Sequence, residues 1–530
     1  MSAVSDAGNT GSTGGFFGHP KGLSTLFFTE MWERFSFYGL RPLLVLFMAA
    51  AVTQDGWGWD RGEASAIVGI YAACVYLASL PGGWVADKWL GLRKATLYGG
   101  ALISLGHITI GVSAFVESKL PFFLGLVFIV LGTGLLKPNI SAMVGDLYPE
   151  GGGRQDAGFS IFYMGINIGA MVGALVTGYL GEEIGWHWGF SAAGVAMILG
   201  LLQFWIMSPK TLGHIGSEPT RHPDPAIQAK QVMQVKIYTG IGLGILTLVI
   251  ILVAAGVLTI NAPVVGQYLA YVLVAIAFGY FAYLFAFGGL TGDEKKRVLV
   301  IAVLFVFAAI FWSAFEQTPT ALNLFARDFT ERTIGTFTIP ATWFQSINSL
   351  FIIIFAPIVA AFWTSLASRK INLSSPVKFA IGLGFAAVSF IIMLLASNIV
   401  VSSDGAKVSA MWLVVFYLFL TLGELFVSPV GLSSMTTLSP RRFVGQVMGI
   451  WFIASALGNL IGGLVGGNVD PENLSLMPKL FTTTALFLGG AAVVLVLLAI
   501  PISRMMREAK APEQPEDPIN EVPDPMPDEK

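Results

Sequence analysis

Seven ionisable side chains lie inside long apolar stretches of this sequence. They are Glu30, Glu33, Arg34, Arg41, Lys137, Glu316 and Glu424. A charge at bilayer depth costs at least ~2.5 kcal/mol on insertion scales, so charges retained there are typical of ion and substrate pathways. Four acids against three bases leave one surplus carboxyl. Because burial disfavours the charged form of a carboxyl, we expect this surplus acid to bind a proton near neutral pH.

The first apolar stretch carries more than half of these charges. Its residues Glu30, Arg34, Tyr38 and Arg41 follow one another at i, i+4, i+8 and i+11. This spacing places them on one face of a helix, with Glu33 at the margin of that face. We therefore expect the stripe to face an internal cavity and not lipid. An ion-pair network that only locks helices together is the alternative, chiefly for Glu33 and Arg34.

Two opposite charges lie further along the chain, Lys137 in the fourth apolar stretch and Glu424 in the twelfth. A cation that faces an anion across a cavity is suited to a zwitterion with charged ends. Arg41 and Glu316 are a second candidate pair, which would open and close as a gate. A paired or snorkelling structural charge is the alternative for Lys137 and for Glu424.

Uncharged polar and aromatic residues support the same cavity. Asn167 and Asn348 lie within apolar stretches. An amide side chain can bind an ammonium group or a peptide carbonyl, although a hydrogen bond between helices is an equal alternative. Four aromatic residues are candidate walls of the cavity: Tyr38, Tyr76, Trp312 and Trp451.

Composition assigns the chain to the membrane proteins. Of its 530 residues, 55% are hydrophobic and 12% are charged, and the mean hydropathy is +0.73. A soluble globular chain carries roughly 25% charged residues. A net charge of −2 excludes a nucleic-acid binder with a basic surface, and one cysteine with five scattered histidines excludes the common metal-ligand patterns. Since no nucleophile motif is present either, we expect no enzyme, no catalytic residue, no metal and no cofactor.

Fourteen apolar runs are long enough to cross a membrane as helices of about twenty residues, which predicts an all-α integral membrane protein. The runs lie at 23–52, 63–86, 95–116, 121–145, 157–180, 187–208, 237–259, 264–289, 298–325, 338–366, 377–397, 408–435, 443–467 and 479–503. The charges in the membrane occupy the first and fourth helices of two groups of six. This arrangement is typical of transporters built from two parallel repeats.

The polar insert between the two groups defines the domain organisation. We divide the chain into a disordered N-terminal tail (1–22), an N-terminal six-helix bundle (23–208), a cytoplasmic linker (209–236), two additional transmembrane helices (237–289), a C-terminal six-helix bundle (298–505) and an acidic, proline-rich disordered tail (506–530). With both termini cytoplasmic, twenty-one Lys and Arg lie inside, six outside and three within spans. This excess predicts cytoplasmic termini. No signal peptide is evident, so we expect a bacterial inner-membrane protein.

Two motifs resemble known families. The loop after the second span, residues 83–94, reads GWVADKWLGLRK and resembles the loop motif of the major facilitator superfamily. The stretch 30–39, EMWERFSFYG, resembles the longer E-x-x-E-R-F-x-Y-Y-G signature of proton-dependent oligopeptide transporters. Stretches around Asn167, Trp312 and Glu424 agree with that family, whose bacterial members also have two extra spans. The resemblance covers residues 20 to 505 and implies the major facilitator fold.

The resemblance implies roles for individual residues. It assigns proton coupling to Glu30, Glu33, Arg34 and Glu316, substrate binding to Arg41, Tyr38, Tyr76, Lys137, Asn167, Trp312, Asn348, Glu424 and Trp451, and gating to Asp87, Arg93, Arg41 and Glu316. Arg41 and Lys137 match cations associated with the peptide carboxylate and with coupling. A cluster expected around the peptide amino end matches Asn167, Asn348 and Glu424. One departure is Phe37, where the signature has tyrosine. We expect the missing hydroxyl to alter one contact to the substrate.

The prediction is a proton-coupled symporter that imports di- and tripeptides by alternating access. Its partners are the peptide, protons and the lipid bilayer, with no nucleic acid, and we expect it to function as a monomer. The alternatives on the same fold are a transporter of nitrate or another small anion and a drug/proton antiporter. Glu424 and the helix 1 signature favour a substrate with an ammonium end.

Overall fold

A computed structural model describes residues 15–116, 118–371 and 373–508, with side chains described as far as residue 505. Most of the two predicted tails, residues 1–14 and 509–530, lies outside the described residues. Residues 15–20 fall within the predicted N-terminal tail and pack against the fold. Phe16 lies 5.2 Å from the ring of Phe27, and His19 Nδ1 lies 2.9 Å from the Tyr148 hydroxyl.

The described chain is almost entirely helical. Its α-helices are α1 Lys21–Ala49, α2 Arg61–Val85, α3 Leu92–Val112, α4 Leu120–Asp146, α5 Gly152–Tyr179, α6 Trp186–Thr211, α7 Pro225–Ala254, α8 Ala262–Phe287, α9 Gly292–Phe315, α10 Asn323–Phe329, α11 Trp343–Ser368, α12 Ser375–Ser402, α13 Met411–Leu438, α14 Val444–Val465 and α15 Leu476–Glu508. Single π-helical turns extend α2, α5 and α9 at Ala86–Leu90, Leu180–Ile184 and Thr318–Leu322.

Two small sheets accompany the helices. Strands β1 Thr330–Glu331 and β4 Val408–Ser409 pair in parallel, and β2 Thr333–Ile334 pairs with β3 Phe337–Thr338 in antiparallel orientation. The apolar runs predicted neither these strands nor the short helix α10. Elements of two to seven residues are too short to produce a hydrophobic period.

Each predicted span coincides with one long helix, which confirms the all-α membrane fold. Thirteen helices among the described residues are long and apolar enough to cross a membrane. Helix α1 is the fourteenth, with 29 residues that include four of the seven membrane charges. Because successive long helices alternate in direction, the end where α1 finishes and α2 begins lies opposite the chain termini. We call this the distal end and the other the proximal end.

Close packing in the N-terminal half depends on glycine. Helix α1 packs against α5 and α6. A stripe on α5 at Gly165, Gly169 and Gly173 faces α1. A Cβ atom at Gly173 would lie 2.5 Å from the carbonyl oxygen of Phe35. The absence of side chains along this stripe brings the two backbones together and fixes α1, which carries the charges.

The two extra helices lie at the periphery. The most apolar part of α7 has no residue buried inside the protein. One face of α8 is buried at Ala262, Gly266, Ala270 and Leu273, and this helix packs against α2 and α14. A Cβ atom on Gly266 would meet Leu464 at 3.2 Å. Helix α8 therefore covers one seam between the two halves, because α2 belongs to one half and α14 to the other.

The packing of α1 on α5 predicts the effect of a single methyl group. Gly173→Ala places its Cβ against backbone atoms of Phe35, which cannot move aside, and such overpacking costs typically ~1–3 kcal/mol. We expect the apparent melting temperature in detergent, followed by tryptophan fluorescence, to fall by several degrees. Gly240→Ala on α7 is the control, because nothing lies within 4 Å of its Cβ. Equal melting temperatures for the two variants would contradict this packing.

Candidate functional site

A cavity of about 560 Å³ lies between the two six-helix groups. Its lining includes most of the residues predicted from the sequence: Glu30, Arg34, Tyr38, Arg41, Tyr76, Lys137, Asn167, Trp312, Glu316, Asn348, Glu424 and Trp451. Three others, Glu33, Asp87 and Arg93, do not line it. Both groups of helices therefore contribute charged side chains to one enclosed space.

The signature on α1 forms a buried cluster of one base and two acids. Arg34 Nε lies 3.0 Å from Glu30 Oε1, and its Nη2 pairs with Glu33. All three side chains are at most 4% exposed. Glu30 and Arg34 face the cavity, whereas Glu33 lies behind them. One positive charge thus faces two negative charges in this cluster.

Lys137 and Glu424 line the cavity from opposite halves. Lys137 Nζ lies 4.1 Å from the centre of the Tyr76 ring. Glu424 accepts a hydrogen bond from Asn348 Nδ2 at 3.0 Å. Among the described residues, neither charge has an ion-pair partner within 4.0 Å. A cation and an anion in one cavity that have no ion-pair partner among the described residues can bind the two ends of a zwitterion.

The predicted amide cluster is only partly assembled. Asn348 binds Glu424 directly and also donates to Thr421 Oγ1 at 3.0 Å. Asn167 lines the same cavity, but its Nδ2 donates to the carbonyl of Tyr163 in its own helix at 3.0 Å. Its amide therefore does not contact Asn348 or Glu424 in this conformation.

Arg41 and Glu316 form an ion pair that joins the two halves. Arg41 lies on α1, and Glu316 caps the C-terminal end of α9. The same guanidinium nitrogen of Arg41 donates to Asn459 Oδ1 on α14 at 2.5 Å. Sequence reasoning missed Asn459, as it missed the cavity-lining Tyr163 and Tyr417. The signal for Asn459 was an amide near the middle of the apolar run 443–467.

Phe37 does not line the cavity, and the expected change in a substrate contact stays a prediction. Its ring is 3% exposed and stacks on Tyr71 with the ring centres 6.1 Å apart. The guanidinium carbons of Arg34 and Arg41 lie 5.5 and 5.9 Å from its centre. Phe37 therefore separates the two arginines, and the position is turned toward α2 and away from the cavity.

Asp87 and Arg93 lie at the proximal end, away from the cavity. Arg93 Nη2 donates to the carbonyl oxygens of Gly213 and Ile215 at 2.5 and 3.0 Å. The backbone carbonyl of Asp87 accepts from Thr220 N at 2.8 Å. These bonds attach the loop between α2 and α3 to the segment that follows α6.

The distal end joins the two halves. Glu182, in the π-helical turn after α5, accepts hydrogen bonds from the backbone nitrogens of Ala341 and Thr342 at 2.8 and 2.9 Å. These residues directly precede α11, so a carboxylate from one half caps a helix of the other. Arg61 and Asp328 form a further pair, with Nη1 and Oδ2 2.5 Å apart. These contacts join the two halves at the distal end.

Comparisons with known proteins agree with one another. Residues 93–477 match the model of the POT family. The chain is 49% identical to a protein named peptide transporter YePEPT from Yersinia enterocolitica, over 95% of this chain and 98% of the relative. It is 34% identical to a di-/tripeptide transporter of Lactococcus lactis, over 93% and 98%. A crystal structure of a mutant peptide transporter POT in complex with alafosfalin superimposes with a TM-score of 0.84 at 39% identity, covering 93% of this chain and 97% of the other.

The contacts of Glu182 predict a local effect on amide exchange. In Glu182→Ala the nitrogens of Ala341 and Thr342 lose their acceptor, and an unsatisfied buried donor costs ~1–3 kcal/mol. We expect hydrogen exchange at the start of α11 to accelerate by roughly 5- to 150-fold, measured by mass spectrometry. Glu183→Ala, at the exposed neighbouring position, is the control. Unchanged exchange in Glu182→Ala would contradict a closing contact here.

Proposed function

Because this chain belongs to the POT family, we propose that it is a proton-coupled symporter that imports di- and tripeptides. Members of the family are transporters, and the chain is not an enzyme and needs no cofactor beyond the coupling proton. The observation that carries the substrate class is the presence of Lys137 and Glu424, each without an ion-pair partner among the described residues, in one cavity between the halves.

A short peptide satisfies the chemistry of this cavity. Its carboxylate would bind Lys137 and Arg41, and its ammonium group would bind Glu424, which Asn348 holds in place. The volume of about 560 Å³ falls within the range of small-molecule sites, roughly 300–1,000 Å³. The four aromatic residues named above would contact the side chains of the peptide. A small anion has no positively charged group that could bind Glu424, so the charges of the cavity favour a peptide over a small anion.

Proton coupling would act through the two clusters that surround Arg34 and Arg41. A proton on Glu30 or Glu33 frees Arg34 from one of its two acids, and a proton on Glu316 removes the ionic attraction for Arg41. The second event loosens a contact between the halves and so favours opening at the distal end. A proton that enters down a 100 mV potential supplies ~2.3 kcal/mol, which supports roughly fifty-fold accumulation of a neutral peptide.

We place both termini on the cytoplasmic side of a bacterial inner membrane, because the lysine and arginine residues concentrate in the loops of that side. In this orientation the distal end faces outward. The two six-helix groups are the bundles that rock around the cavity, and the loop with Asp87 and Arg93 limits this motion at the cytoplasmic end. One copy of the chain encloses the whole cavity, so we propose that the monomer is the functional unit.

Uptake of labelled dialanine into proteoliposomes tests the proposed function. We expect accumulation above equilibrium only with an inward proton gradient, together with inhibition by unlabelled di- and tripeptides. Liposomes without protein and an added protonophore are the controls. Failure of the folded transporter to take up dialanine would overturn the peptide assignment, and uptake of nitrate in its place would establish the anion transporter.

The cluster on α1 predicts a specific defect in Glu33→Gln. This variant keeps the size of the side chain but removes one of the two acids around Arg34, so the cluster loses its site for a proton. We expect gradient-driven accumulation of dialanine to fall to equilibrium while dialanine exchange between preloaded vesicles and medium continues. Glu183→Gln should behave as wild type. Accumulation against a gradient by Glu33→Gln would show that the proton binds elsewhere.

A further inference from the structure

Two acceptors from the C-terminal half hold one nitrogen of Arg41. Its Nη2 pairs with Glu316 Oε2 and also donates to Asn459 Oδ1 at 2.5 Å. Arg41, Glu316 and Asn459 are 6%, 3% and 1% exposed. Glu316 loses its negative charge when it binds a proton. The amide of Asn459 does not titrate, so its oxygen accepts a hydrogen bond in either case. The hydrogen bond from Arg41 to Asn459 therefore remains when Glu316 is protonated.

The amide of Asn459 is held in one orientation. Its Nδ2 donates to the carbonyl of Ser455 in the preceding turn of α14 at 2.8 Å, so its Oδ1 is turned toward Arg41. Helix α14 is in direct contact with the end of α9 at this level. A Cβ atom on Gly458 would lie 2.5 Å from Trp312 Cβ, and one on Gly462 would lie 2.6 Å from the backbone of Glu316. This packing fixes the spacing between the two acceptors.

Nη1 is the nitrogen of Arg41 that remains for a ligand. A guanidinium carries five N–H donors, and both protein contacts use Nη2. Nε is buried and has no hydrogen-bond partner among the described residues, whereas the side chain as a whole lines the cavity. Because two acceptors fix Nη2, the planar guanidinium of Arg41 has a defined orientation. A guanidinium with a defined orientation is suited to binding a carboxylate.

We infer that Asn459 is a positioning residue for substrate recognition, which keeps Arg41 directed at the carboxylate of the peptide when Glu316 no longer holds it. This inference rests on the proposed function, since it requires a substrate with a free carboxylate. The inference adds a residue outside the cavity wall to that function. Asn459 makes the transporter prefer peptides with a free C-terminal carboxylate over peptides with an uncharged C-terminus. Asn459 acts through Arg41 and does not touch the substrate.

The rival explanation is a purely structural tie between the halves. The chain offers a matched control in Asn323, which is also 1% exposed and donates across the halves to the carbonyl of Pro42 at 2.8 Å. Among the described residues, no hydrogen bond joins Asn323 to the guanidinium of Arg41, whose acceptors are Glu316 and Asn459. A variant that only loosens the junction of the halves should therefore resemble Asn323→Ala, whereas loss of positioning should not.

The test measures inhibition of dialanine exchange in proteoliposomes by unlabelled dialanine and by its C-terminal amide. We expect Asn459→Ala to raise the inhibition constant of dialanine about tenfold, the effect of losing one hydrogen bond to a charged group, and to leave that of the amide unchanged. Asn459→Leu fills the space with an apolar side chain and serves as a second variant if Asn459→Ala folds poorly. Asn323→Ala should leave the ratio of the two constants as in wild type.

Each outcome distinguishes the inference from the proposed function. The inference is supported if the inhibition constant of the amide divided by that of dialanine falls tenfold in the Asn459 variants and does not fall in Asn323→Ala. An unchanged ratio in those variants, or the same change in Asn323→Ala, overturns it while the peptide assignment stands. Wild-type protein that does not exchange dialanine overturns the proposed function, and the inference with it.

Discussion

The contact between Arg41 and Glu316 joins the two halves of the molecule in its interior. Taking two opposite charges out of water costs free energy that their attraction only partly returns, so such a pair is weak evidence for stability. Removing one charge leaves the other buried without a partner, which is strongly unfavourable. A pair with this property acts as a switch when one member binds a proton and the other binds a substrate. The cavity, the cluster on α1 and the distal contacts all lie around this pair.

The positions of the other contacts define the present conformation. Glu182 and Arg61 connect the halves at the distal end, close to where α1 finishes. The glycine stripe of α5 packs closely on α1, which carries Arg41, within the same half. Helix α8 covers the seam between the two halves where α2 meets α14, and it packs on both of these helices. The structure is thus closed at one end by polar contacts that can be broken and remade.

Sequence reasoning predicted the long helices and most of the cavity, because both leave a local pattern. Apolar runs indicate spans, and the spacing of Glu30, Arg34 and Arg41 indicates one face of a helix. Contacts made over a long sequence separation leave no such pattern. Glu182 finds its partners 159 and 160 residues away, and Asn459 meets an arginine 418 residues away. Spacing alone also did not show that Tyr71 of α2 covers Phe37, because it does not tell which neighbouring helix packs on the margin of a face.

The distance between the two halves at the distal end tests the central claim most directly. Spin labels at Glu183 and Ile334, both exposed and on opposite halves, report this distance by double electron–electron resonance in a Cys74→Ala background. Glu316→Gln mimics the protonated acid. At one fixed pH, the account predicts that this variant shifts the distribution to longer distances than in the unsubstituted protein. Identical distributions would show that the Arg41–Glu316 pair does not hold the distal end closed.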